Sequence, residues 1–217
     1  MLFEMNKVIA GYSLESVLKE ISLSVSEGEI ASISGDSGSG KSTILRAAAG
    51  LIKQRSGEIR FKGKEISSLE PRERAKIGIC YIPENQNIFP ALTAAENLEI
   101  WGYNLSSNEL EERILKAFKM FPVLRTKKDK KAELLSKFEQ KLLALSKAAI
   151  AEPELLLIDE ISSGLTSIEQ SSIFSKIEEL NKNKISILFA EHSERKALAV
   201  ADRCYIIELG KNKEVKV

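Results

Sequence analysis

One histidine, one tryptophan and two cysteines are all that this 217-residue chain holds of those three residue types. Cys80 and Cys204 both lie in apolar, strand-like runs, so buried thiols are expected rather than a disulfide or a metal site. A dominant charge sign is also missing: 32 Lys and Arg stand against 31 Asp and Glu, and no basic field argues for nucleic acid. No apolar stretch approaches the roughly 20 residues that a membrane span needs. No charged n-region followed by an apolar h-region opens the chain, so the expectation is a cytoplasmic protein that reaches a membrane only through a partner. Internal repeats and low-complexity segments are absent as well.

What is present is a globular composition, 43% apolar and 29% charged, enough for one domain with a small inserted lobe. The first 34 residues read as strands, with Ile21, Leu23 and Val25 alternating with polar residues. A helix is expected from about Lys41 to Leu51. "GEIRFKGKEI" (57–66) alternates again, and "IGICYI" (77–82) suits a buried strand. From about 84 to 152 the pattern turns helical, with capping boxes at "TAAE" (93–96), "SSNE" (106–109) and "SKFE" (136–139). Leu110, Ile114, Phe118 and Phe121 recur at helical spacing, and "RTKKDKK" (125–131) reads as a solvated loop. Strands return at 155–159, 185–190 and 203–208, separated by helices near 167–180 and 193–201. Strand–helix alternation of this kind predicts an α/β fold with a mainly parallel sheet. The expected organisation is a core of 1–83 and 153–217 with an antiparallel β part, and a helical subdomain over 84–152.

Between a strand and a helix stands "GDSGSGKST", which satisfies G-x-x-x-x-G-K-[ST]. Gly35, Gly38 and Gly40 let the backbone curl, so that N–H groups along Asp36, Ser37, Ser39 and the following turn through Thr43 can face phosphate oxygens. Lys41 is placed to reach the β- and γ-phosphates, and the Ser42 hydroxyl to ligate Mg²⁺. "LLLIDE" supplies a second part. Asp159 suits a water-mediated contact to the metal, and Glu160 suits a general base for an attacking water. Together the two motifs predict a P-loop NTPase core that takes a nucleotide's β- and γ-phosphates with Mg²⁺.

With these motifs in place, the chain resembles the nucleotide-binding subunits of ABC transporters over nearly its whole length, and the branched-chain amino-acid uptake type in particular. The resemblance implies that Tyr12 stacks on adenine and that His192, after "LFAE", contacts the γ-phosphate. It implies that Glu84 in "YIPENQNIFPALTAAENL" occupies the Q-loop position, where most members carry Gln and a carboxylate can still serve Mg²⁺ or water. "FPVL" (121–124) matches a stretch of the branched-chain type. "LSKFE" (135–139) falls on the family's signature, which caps the nucleotide of the opposite subunit. Ser136 and Glu139 fit that pattern, while Lys137 and Phe138 replace its two glycines. Ile161 replaces the proline that usually follows Asp-Glu, and Thr166 replaces the D-loop Asp.

The resemblance thus implies an ATPase subunit that powers import through ATP-dependent dimerisation. Its partners would be a second ABC ATPase subunit and transmembrane permease subunits, at the inner face of the cell membrane. A heterodimer is expected because the residues serving this chain's own nucleotide match and those serving the other subunit's do not; a homodimer stays open. The rival reading is an ATP-binding regulatory or structural subunit with weak turnover. An ATPase acting on DNA or ribosomes lacks support from any coiled-coil insertion or basic stripe, and a P-loop kinase does not explain Tyr12, Glu160 and His192 together.

Overall fold

Alternating apolar residues at the N-terminus form β1 (Phe3–Ala10) and β2 (Leu18–Val25), and the continuous apolar run that follows forms the fully buried β3 (Ile30–Ser34). The order continues with α1 (Lys41–Ala48), β4 (Gln54–Phe61), β5 (Lys64–Glu65), α2 (Pro71–Lys76), β6 (Ile79–Ile82), α3 (Ala94–Trp101) and α4 (Ser107–Met120). Then come α5 (Pro122–Thr126), a 3₁₀ turn (Ala132–Leu134), α6 (Lys137–Ala151), β7 (Leu155–Asp159), α7 (Ser167–Lys182), β8 (Ser186–Glu191), α8 (Glu194–Leu198), β9 (Arg203–Glu208) and β10 (Lys211–Lys216). This computed structural model describes residues 1–12, 15–85, 87–192 and 194–216. Residue 193, the expected start of the 193–201 helix, and positions 13 and 14 of the N-terminal strand region lie outside them.

Two compact units emerge, one of Met1–Tyr81, Pro153–Glu160 and Ile177–Val217, the other of Ile82–Glu152 and Ile161–Lys176. The first unit carries both sheets. A six-stranded sheet runs β10-β9-β3-β8-β7-β6, in which β3 pairs in parallel with β8 and β9, and β7 with β8; β10 pairs antiparallel with β9. A four-stranded antiparallel sheet runs β2-β1-β4-β5. The core between them is continuous, from Phe3, Val8 and Ile21 through Ile33, Ile44 and Leu45 to Leu157, Leu188 and Ile207. The α/β fold with a mainly parallel sheet and a separate antiparallel part is therefore present.

One buried cation organises the back of this unit. Arg74 of α2, 1% exposed, donates from Nη1 to Ala47 O (2.7 Å) and Ala48 O (2.9 Å) at the C-terminus of α1. Its Nη2 reaches Ile66 O (2.8 Å) and Nε reaches Leu69 O (3.1 Å). Carbonyls at a helix C-terminus carry the negative end of the dipole, so they help to hold a guanidinium. Burial pulls its pKa down to about 10 against the opposing pull of Glu70, which leaves it charged at neutral pH.

The second unit is helical. Thr93 caps α3, its hydroxyl accepting from Glu96 N while Glu96 takes the Thr93 N–H. Buried Asn97 fastens the preceding loop, accepting from Phe89 N (2.7 Å) and donating to Phe89 O (3.0 Å) and Thr93 O (2.9 Å). Ala117, Phe118, Phe121, Leu124, Leu142 and Leu145 fill its interior.

Several expectations need correction. The box at 106–109 is half-formed: Ser106 accepts from Glu109 N, but the Glu109 carboxylate pairs with Arg113 at i+4 instead of returning to the cap. The phosphate-loop helix ends at Ala48 rather than Leu51, because Gly50 at φ +80 breaks it and Arg74 takes its carbonyls. Arg125 and Thr126 belong to α5, which Pro122 starts, so the 125–131 segment is not loop throughout. The short α2 and the edge strand β10 carry too little apolar period to be read from sequence.

Candidate nucleotide site

β3 ends at Ser34 and α1 begins at Lys41, and the loop between them is shaped by glycine. Gly35 has φ +153, and a Cβ there would stand 2.3 Å from Ile207 O. Gly40, the α1 N-cap, has φ +114 and offers no side-chain cap, so the first-turn N–H groups keep their capacity for an anion. Ser39 is buried with its Oγ unpartnered, and Asp36, Ser37 and Gly38 are exposed at the loop rim. Thr43 is buried in the first turn.

Lys41 is 3% exposed and bends back over this loop, donating from Nζ to Gly35 O (2.8 Å) and Asp36 O (3.0 Å). The same Nζ lies 3.5 Å from Glu160 Oε1 and 3.4 Å from His192 Nδ1. An ammonium has only donors, so Nδ1 faces it with a lone pair and the ring proton sits on Nε2. Nε2 is 2.7 Å from Glu160 Oε2, which accepts that proton's hydrogen bond. Glu160 is the residue after β7, buried, and held by its N–H to Ala190 O (3.0 Å). Its φ is +43, a left-handed conformation that strains any residue with a Cβ. In that conformation the carboxylate faces Lys41 and His192.

On the other side of α1's first turn, Ser42 Oγ donates to Asp159 Oδ1 (3.0 Å), and Tyr81 Oη donates to Asp159 Oδ2 (3.1 Å). With its proton committed to Asp159, the serine oxygen keeps lone pairs for a cation. Among the described residues no cluster of three or more His, Cys, Asp or Glu could hold a metal alone. A hydroxyl and one carboxylate still fit Mg²⁺, a hard ion that takes its remaining oxygens from phosphates and water. Tyr12 is 47% exposed at the rim and accepts from Arg46 Nη1 (2.6 Å).

The structure thus brings Lys41, Ser42, Asp159, Glu160 and His192 together in one unit, with Tyr12 tied to α1. Glu84 and the 136–139 segment belong to the other unit. Glu84's carbonyl accepts from Lys141 Nζ (3.0 Å). Ser136 is spent locally: its Oγ accepts from Glu139 N (3.3 Å) and its N–H goes to Glu139 Oε2 (3.0 Å). Burial pushes the Glu139 carboxyl up, yet Lys127 and the Ser136 N–H outweigh it and hold the pKa below the usual value. Lys137 is exposed at the first position of α6, and Phe138 is half-buried beside it. Thr166, in the D-loop position, caps α7 with Glu169.

Two site-bordering residues, Arg46 and Tyr81, escaped the sequence reading. The signals were available: Arg46 lies one turn after Ser42 on α1, and Tyr81 interrupts the apolar run of β6 with a polar tip.

A strand–phosphate loop–helix unit with two carboxylates at the end of β7, a parallel strand of the same sheet one strand removed from β3, defines a nucleotide-hydrolysing P-loop domain. The family model described as ABC transporter matches residues 18–163, and the chain belongs to that family as an ATPase subunit. It is 35% identical over 206 residues to a probable branched-chain amino acid transport ATP-binding protein, LivF, of Archaeoglobus fulgidus, covering 94% of this chain and 87% of the relative. It is 33% identical over 210 residues to the high-affinity branched-chain amino acid transport ATP-binding protein BraG of Pseudomonas aeruginosa, covering 97% and 90%. A solved dimeric ATP-binding cassette in a post-hydrolysis state, bound to ADP and Pi, superposes with a TM-score of 0.87 at 27% identity, covering 99% of this chain and 98% of that one. No helix among the described residues is long and apolar enough to cross a membrane.

Proposed function

We propose that this chain hydrolyses ATP to drive import by a membrane transporter, as one half of a dimer whose other half is a different ATP-binding subunit. The observation that carries the hydrolytic part is the contact of Glu160 with both Lys41 and His192. Glu160 takes a proton from the attacking water as general base. His192, on its Nε2–H tautomer, orients that carboxylate and places a polar ring edge beside the γ-phosphate. Lys41 exchanges its loop carbonyls for phosphate oxygens and offsets the charge that grows on them, and the α1 N–H groups hold the chain of phosphates. Tyr12 stacks on the adenine. Ser42, with Asp159 behind it, would hold Mg²⁺, which would supply further charge neutralisation when bound.

The unequal dimer rests on the 136–139 segment. Close approach of backbone N–H groups to another subunit's phosphate is favoured by small residues, and here a lysine and a phenylalanine stand in their place. Lys137 offers an ammonium instead of a fixed amide. A partner with an intact signature completes the site over Lys41, while the reciprocal site turns over slowly. Permease subunits anchor the pair at the inner face of the membrane, and the likeness to branched-chain amino acid transport ATP-binding proteins supports branched-chain amino acids as the cargo.

Phe138 and Ile161 favour a second reading, an ATP-binding subunit that regulates a heteromeric complex with little turnover of its own. ATP hydrolysis by the purified chain, with and without its co-purifying partner, separates the two. Turnover that rises with the partner supports the first reading. An identical low baseline in the Glu160→Gln variant and the parent, partner present, supports the second.

A further inference from the structure

The β9–β10 hairpin meets the phosphate loop at both of its ends. Its turn has only Leu209 (φ +48) and Gly210 (φ +79) between the paired residues Glu208 and Lys211. Two positive φ values make this a type I′ turn, whose favoured pair is Asn-Gly. Leucine is a poor occupant of the first place, and at 85% exposure its side chain packs on little that could hold it there. What holds the turn is the backbone of Gly210. Its N–H donates to Ser39 O (3.2 Å) in the phosphate loop, and its carbonyl accepts from Lys19 N (2.7 Å) near the start of β2. Glycine is required there, because a Cβ would stand 2.0 Å from Val17 O. At the other end of the loop, Gly35 lies against Ile207 O of β9. Asn212 on β10 fastens the hairpin to β2, donating to Ser22 O (2.7 Å) and accepting from Ser22 N (2.9 Å). All these residues belong to the same compact unit.

A trans peptide is planar, so its C=O and N–H point in opposite directions. Pinning Ser39 O to Gly210 therefore turns the next N–H, that of Gly40, to the opposite side of the chain. Gly40 is buried, and no described group accepts from its N–H. A buried, unpartnered donor just before the first turn of α1 is a seat for an anion. Without the anchor, the Ser39–Gly40 peptide can turn over and carry that donor away from the phosphate. We propose that Gly210 is a positioning residue for nucleotide binding, which fixes the Ser39–Gly40 peptide so that the Gly40 N–H stands ready for a phosphate oxygen. By linkage, a phosphate chain that orders this peptide also tightens the β9–β10 turn. The proposal rests on the reading of 35–43 as the phosphate site.

The test is calorimetric titration of the full chain with inorganic tripolyphosphate and with ATP, both in Mg²⁺. Gly210→Ala sets a methyl group against Val17 O and lifts the turn from Ser39. Leu209→Val puts a β-branched residue at positive φ and loosens the same turn without removing a buried side chain. Tripolyphosphate affinity is expected to fall about tenfold in the first and about threefold in the second, with ATP falling by the same factors. Leu209→Asn suits the turn and should bind at least as tightly as wild type. A merely structural role would lower the unfolding temperature and leave the affinity of the folded protein alone. Amide hydrogen exchange of the wild-type chain reads the same coupling: saturating tripolyphosphate should slow exchange at Gly210 about tenfold. Wild-type affinity in folded Gly210→Ala overturns the proposal, and so does Gly210 exchange that the ligand leaves unchanged. If Gly210→Ala does not fold, wild-type affinity in Leu209→Val overturns it in the same way. A wild-type chain that binds neither ligand shows instead that the phosphate-site reading has failed, and the positioning role falls with it.

Discussion

His192 stands between opposite charges, with Nε2 2.7 Å from Glu160 Oε2 and Nδ1 3.4 Å from Lys41 Nζ. Only the neutral ring protonated on Nε2 satisfies both neighbours. His192→Ala is therefore expected to lower ATP turnover by about 10²-fold, the scale of a lost orienting group at a general base. ATP affinity should change far less, because Lys41 and the loop amides remain. Single-turnover hydrolysis alongside equilibrium ATP binding checks the split.

Replacing Lys137 and Phe138 together by glycine tests the signature reading. Each glycine in the first turn of α6 costs up to about 1 kcal/mol of helix propensity, so the double variant should unfold more easily by about 1–2 kcal/mol. Turnover at the partner's nucleotide should nevertheless rise, since backbone amides regain access to its phosphate. Urea unfolding and ATPase assays of the mixed dimer measure the two effects.

Glu139 makes the stability of the helical unit depend on pH. Its folded pKa is depressed, so its contribution is present above the unfolded value of about 4.3 and is lost as pH falls through the folded one. Glu139→Gln removes the charge that Lys127 and the Ser136 N–H stabilise. It should cost roughly 1–3 kcal/mol at pH 7 and progressively less as pH drops below about 4.3. Unfolding midpoints of both proteins across that range follow the difference.

Arg74→Met should be among the most damaging changes far from the nucleotide. It fills similar volume but removes the guanidinium that the carbonyls of Ala47, Ala48 and Ile66 accept from. A loss of about 3 kcal/mol is expected, with ATP affinity falling because α1 carries the phosphate loop at its other end. Thermal unfolding and ATP titration read the two consequences.

The phosphate loop and the Asp-Glu pair were legible because their chemistry needs fixed residue types at fixed spacing, flanked by a buried strand and a helix. His192 was legible only through resemblance, since a lone histidine has no period to place it. The alternating strands and the α6 cap followed from local pattern, and Ser136 with Glu139 forms that cap as expected. Arg74 was not legible: its partners are backbone carbonyls from two segments, 47–48 and 66–69, and no sequence pattern marks a carbonyl. The failed box at 106–109 shows the same limit, because Glu109 had a competing arginine one turn on. The Tyr81–Asp159 contact joins β6 to β7, and a pairing of that kind exists only once the sheet order is known.

The most direct test of the account is steady-state ATP hydrolysis by the chain assembled with its co-purifying ATP-binding partner, compared with the same complex carrying Glu160→Gln. Hydrolysis should be well above that of the chain alone and should fall by about 10²–10⁴-fold in the variant, with ATP still bound. Equal hydrolysis in the two complexes would contradict it, and so would full cooperative turnover by the chain without any partner.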